Sequence, residues 1–111
     1  MIVAVSADGK TLDSAVSELF GRCPFFLLAE VKKEKITLIK AVENSSAGQR
    51  GGAGVSAAQT VVENSAKAVI AKNIGPRARD VFKQFGVPTY KGNGSAKNAL
   101  AELAAGKLEK I

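Results

Sequence analysis

Short apolar runs bounded by turn residues dominate the first half of the chain, and helical periodicity takes over in the second. Met1 to Val5 is a continuous apolar run that ends in Ser6-Ala7-Asp8-Gly9, which predicts a strand followed by a turn. Asp13 and Ser14 are cap residues, so a brief helical turn is expected through Leu19. Pro24 to Val31 is apolar, Lys32 to Glu34 supplies a charged turn, and Ile36 to Val42 resumes strand character; together they predict an antiparallel hairpin.

Asn44 to Gly54 is rich in Gly, Ser and Asn and nearly free of large apolar groups, so it reads as a mobile loop. Val55, Ala58, Val61 and Val62 recur at helical spacing, predicting a helix that ends near Asn64, and Ala68 to Ala71 is again a short buried strand. Lys72-Asn73-Ile74-Gly75-Pro76 leads into a second helix, with Pro76 suited to its first turn and Ala78, Val81, Phe82 and Phe85 as one apolar stripe. Gly86 closes that helix, Val87 to Tyr90 forms a fifth strand, and Gly92-Asn93-Gly94 turns the chain. Ser95 is the N-cap of a third helix carrying Ala99, Leu100, Leu103 and Ala104, which Gly106 ends. The order β, β, β, α, β, α, β, α has no repeat and no linker, so residues 1–111 form a single domain with a mixed, mostly parallel sheet covered by helices.

Composition narrows the function. The chain is 46% hydrophobic, with five Phe, one Tyr and no Trp, which leaves little aromatic surface for stacking nucleic-acid bases. Together with the lack of an RNA-binding signature, this makes nucleic acid a poor partner. No apolar run is long enough for a signal peptide or a membrane span, so a cytoplasmic protein without membrane association is expected. A net charge of +6 favours anionic partners. Lys32, Lys33, Lys35, Lys107 and Lys110 read as solvated surface, whereas Arg22, Arg50, Lys72, Arg77 and Arg79 lie beside glycine-bearing segments.

In sheets of this kind ligands gather outside the carboxyl ends of parallel strands, where loops enter helix N-termini. Three loops qualify: Ser6 to Gly9, Lys72 to Pro76, and Gly51-Gly52-Ala53-Gly54. Amides at a helix start favour anions, but neither a P-loop ending nor a dinucleotide fingerprint is present. Cys23 is the only cysteine and there is no histidine, so a closed tetrahedral metal site is excluded and any metal site must be open, shared or completed by a cluster's own ligands. Taken alone, such a cysteine is more often a small buried hydrophobe. Without histidine, and with Asp8, Asp13, Glu18, Glu43 and Glu63 dispersed, binding outranks catalysis and no enzyme is expected. Nuclease chemistry needs clustered carboxylates, and Ile2-Val3-Ala4-Val5 carries none.

Phe20-Gly21-Arg22-Cys23-Pro24-Phe25-Phe26, then Asn44 ahead of Gly51-Gly52-Ala53-Gly54, then Ile74-Gly75-Pro76 and Gly106-Lys107-Leu108, together resemble the dinitrogenase iron-molybdenum cofactor biosynthesis family. The absence of histidine makes the chain similar to its small stand-alone members. The resemblance implies an α/β, ribonuclease H-like fold in three layers, with a five-stranded mixed sheet in the order 3-2-1-4-5, strand 2 antiparallel, and helices after strands 3, 4 and 5. It also implies transient binding of an iron-sulfur or iron-molybdenum-type cluster or its precursor. Carried over by position, Cys23 is the metal ligand, and Arg22, Asn44, Arg50, Gly51, Gly52, Gly54, Asn73, Ile74, Gly75 and Pro76 contact the cofactor. Metal-cofactor assembly or acceptor proteins are then the expected partners of a monomer or weak dimer. The alternative from another class is a non-metal binding module for a small phosphorylated ligand or a protein partner.

Overall fold

The computed structural model describes residues 1–111, and its architecture grows outward from β1 (Ile2–Ala7), whose residues Val3 to Ala7 are all buried. A strand covered on both faces has no polar side, which is why Ile2 to Val5 shows no alternation. β2 (Phe25–Lys32) pairs antiparallel with β1, and β3 (Lys35–Glu43) pairs antiparallel with β2. On the other flank β4 (Ala68–Ala71) and β5 (Thr89–Lys91) run parallel to β1. A further strand, β6 (Glu109–Lys110), adds antiparallel to β5 and completes a six-stranded sheet in the order β3-β2-β1-β4-β5-β6.

Helices cover both faces, so the domain has three layers. α1 (Ala53–Glu63) and α2 (Pro76–Gln84) pack over one face, where Phe20, Phe26, Leu28, Val61, Val69 and Phe82 form the core. Phe20 is its hub: its ring centroid lies 5.2 Å from that of Phe26 and 5.3 Å from that of Phe82, the latter edge-on. α3 (Ala96–Ala104) covers the opposite face, over Val3, Val5, Leu27 and Ile70. Ser95 caps α3 by accepting a hydrogen bond from the Asn98 amide, as its position predicts. No helix is long and apolar enough to cross a membrane.

Three expectations are corrected. The sheet has six strands rather than five, because Glu109–Lys110 finds the free edge of β5 and Ile111 and Thr89 bond to one another. The helical turn expected from Asp13 to Leu19 does not form. Val16 instead bridges Ala7, Ala15 bridges Ser95, and the Ser17 hydroxyl donates to Asp8 at 2.6 Å, so tertiary partners displace the local cap. Phe85 does not join the buried stripe: α2 stops at Gln84, Gly86 turns with φ +68°, and Phe85 is left 59% exposed.

Candidate functional site

A short 3₁₀ turn, Phe20–Arg22, links the β1 exit to β2 and is pinned from below by the buried Phe20 ring. Directly against it lie the starts of α1 and α2. Gly21 and Gly54 pack backbone to backbone, since a Cβ on Gly21 would stand 2.9 Å from both the Cα and the N of Gly54. No side chain is tolerated there without moving main chain. Gly52, with φ +72°, turns the loop into α1 through the left-handed region, while Pro76 opens α2 in its first turn after an extended Gly75.

These three segments enclose a cleft of about 330 Å³, lined by Leu19, Gly21, Arg22, Gly52, Ala53, Gly54, Val55, Gly75, Pro76, Arg77 and Ala78. None of the eleven is acidic, and two are arginines. Neither α1 nor α2 receives a side-chain hydrogen bond at its N-cap, so first-turn N-H groups of both helices remain available at the mouth. Two helix N-termini and two arginines around one hollow without acidic residues give it an electrostatic character suited to an anion.

Of the residues singled out from sequence, Gly21, Arg22, Gly52, Gly54, Gly75, Pro76 and Arg77 line this cleft. Arg50 and Gly51 are exposed on the loop leading to it, outside the lining. Asn73, Ile74 and Asn44 hold the walls. Asn73 donates through Nδ2 to the Glu18 carbonyl at 3.0 Å while its own carbonyl accepts from the Phe20 amide, and Ile74 packs against the core. Asn44, buried, donates through Nδ2 to the carbonyls of Cys23 at 2.8 Å and Gly21 at 3.2 Å, and its Oδ1 accepts from the Ser46 amide at 3.1 Å. The Ser6 to Gly9 loop stays outside the cleft, and so does Arg79. Lys72 is paired with Glu18 at 3.6 Å.

Cys23, the expected metal ligand, lies beneath the cleft rather than in its lining. It is 1% exposed, belongs to the core cluster beneath α1 and α2, and is not among the cleft residues. Burial pushes its thiol up to about 12 from an ordinary 9.0, against a smaller opposing pull from Asn44. Nucleophilic and metal-ligating cysteines act as thiolates, so the thiol in this arrangement is a packed, protonated core group. No cluster of three or more His, Cys, Asp or Glu side chains that could hold a metal ion exists elsewhere.

Leu19, Val55 and Ala78 escaped the sequence reading as site residues because neutral side chains carry no chemical signal. Leu19 is 44% exposed on the cleft rim, and only its position between the Glu18–Asn73 bond and the glycine pair distinguishes it from any surface leucine.

Comparison with known proteins identifies a family and several structures of similar fold. The family described as dinitrogenase iron-molybdenum cofactor matches residues 1–106. An uncharacterized protein of Methanocaldococcus jannaschii is 34% identical over 112 aligned residues, covering 100% of this chain and 92% of its relative. The apo form of the orange protein from Desulfovibrio gigas superposes with a TM-score of 0.88 at 24% identity, covering 99% of this chain and 92% of the other, which is a likeness of fold. A candidate NifB protein from Thermotoga has a TM-score of 0.79 at 29% identity, over 98% of this chain and 91% of its own.

Proposed function

Because this chain belongs to the dinitrogenase iron-molybdenum cofactor family, we propose that it is a non-catalytic carrier that holds a metal-sulfur cluster or its precursor as cargo during metal-cofactor assembly. The observation that carries the reading is the convergence of the α1 and α2 N-termini with Arg22 and Arg77 on a cleft free of acidic side chains. Such a site recognises its cargo as an anion, through backbone amides and guanidinium groups, and releases it without breaking a permanent coordinate bond. The apolar rim of Leu19, Val55 and Pro76 suits the sulfide faces of a cluster, which are poorly hydrated compared with carboxylate or phosphate oxygens.

The burial of Cys23 favours a second reading in which the same cleft takes a small phosphorylated ligand and no metal at all. One anaerobic experiment addresses both: gel filtration of the protein with a synthetic thiolate-capped iron-sulfur anion, read by charge-transfer absorbance in the protein peak. Co-elution is expected for the wild type and for Cys23→Ser, with at least a several-fold loss for Arg77→Glu. Absence of co-elution with the wild type refutes the cluster reading; its loss in Cys23→Ser alone shows that the thiol, rather than the cleft, is the site.

A further inference from the structure

The loop from Asn44 to Gly52 forms the approach to the cleft, and its fastening is unusual for its length. At its root Asn44 is bonded to the Pro24 carbonyl through its amide and to Gly21 and Cys23 through its side chain. Beyond that root its backbone bonds are local turns, Ala47 to Asn44 and Gln49 to Ser46. Between Ser45 and Gly51, Arg22 supplies the only hydrogen bonds that tie the loop to the body; at the far end the Gly52 carbonyl accepts from the Ser56 amide as α1 begins. Its Nη1 donates to the carbonyls of Ala47, at 2.9 Å, and of Gln49. Arg22 is also a cleft-lining residue, and its Nε and Nη2 hydrogens make no hydrogen bond.

We propose that Arg22 is a strap that couples occupancy of the cleft to closure of the Asn44–Gly52 loop. A guanidinium carries five N-H donors in one rigid plane, so Nη1 can hold the loop while Nε and Nη2 remain free for an anion in the cleft. An anion on the free edge fixes the plane, and the fixed plane keeps Nη1 on the two loop carbonyls. Binding therefore stabilises the closed loop, and by reciprocity the closed loop raises affinity for the anion. Lysine is a poorer strap, because its three N-H donors sit on one flexible point charge and present no two opposed edges in a fixed plane. The coupling rests on the cleft being the binding site; the strap itself does not.

Arg50 provides the test, since it is exposed within the loop and trypsin cleaves after it only when the surrounding chain opens. Cleavage after Arg50, followed by mass spectrometry, is measured for the wild type, Arg22→Ala and Arg22→Lys, with circular dichroism confirming that each variant is folded. Both variants are expected to be cut about tenfold faster than the wild type. The synthetic thiolate-capped iron-sulfur anion is expected to slow cleavage of the wild type several-fold and to leave Arg22→Lys unprotected. Unchanged cleavage in both variants overturns the strap. Binding of the probe without protection of the wild type overturns the coupling. If the probe does not bind, the reading of the cleft fails instead, while faster cleavage of the variants still supports the strap.

Discussion

Cys23→Ala makes the stability of the fold less sensitive to alkali, and the size of the effect follows from the burial of one sulfur. The thiol is 1% exposed and its pKa is raised from 9.0 to about 12 by desolvation. A group whose folded pKa lies above its unfolded one contributes stability in full below the unfolded value and loses it as pH rises through the folded value. The window here therefore opens near pH 9 and closes near pH 12. Each unit is worth about 1.4 kcal/mol, so by pH 10.5 the wild type should have lost about 2 kcal/mol that Cys23→Ala retains. The measurement is urea unfolding of both proteins between pH 7 and 10.5. Every other ionisable group is common to the two proteins, so the difference between the curves isolates the thiol. At pH 7 the variant should be the weaker by about 1 kcal/mol from the small cavity. Parallel pH profiles would show that the thiol ionises without penalty, and hence that the sulfur is not enclosed as the structure places it.

Asn44→Ala removes the donor shared by the Gly21 and Cys23 carbonyls and the acceptor of the Ser46 amide. With buried partners left unpaired it should cost about 2–4 kcal/mol in chemical denaturation, and a loss below about 0.5 kcal/mol would disprove the clasp. Gly92→Ala places a methyl group against Ile70 Cγ2 and Ala99 Cβ in a closed core and should cost about 1–3 kcal/mol. Combining it with Ile70→Ala, which removes that Cγ2, should cost less than the sum of the two single changes in a double-mutant cycle, whereas strict additivity would mean that the two side chains do not meet.

The strands and helices were legible where pattern and packing agree. Ala68–Ala71 is a four-residue apolar run because both its faces are covered, and Ser95 is an N-cap because its hydroxyl has an amide within reach at Asn98. The site was half legible. Gly52, Gly54, Gly75, Pro76 and Arg22 announce themselves by backbone freedom or charge, and they do line the cleft. Asn44, named through the family resemblance, is buried, and its amide is bonded to the carbonyls of Gly21 and Cys23, partners that only the fold reveals.

Local chemistry by itself determined most of the alternation of elements, the Ser95 cap, the glycine turns, the positive charge and the supply of one thiol and no imidazole, since each depends on residues near one another in the chain or on counts. Only the tertiary structure decided which way the remaining groups face. Phe85 turns outward because α2 ends one residue before it, and Ala15 and Val16 leave their helical turn because Ser95 and Ala7 offer bridges. Cys23 lies beneath the cleft rather than in it because Phe20 and Phe26 draw the segment between them into the core. Burial and pairing are properties of residues brought together across the fold, and the free energy of desolvating a thiol or satisfying a carbonyl is set by those neighbours.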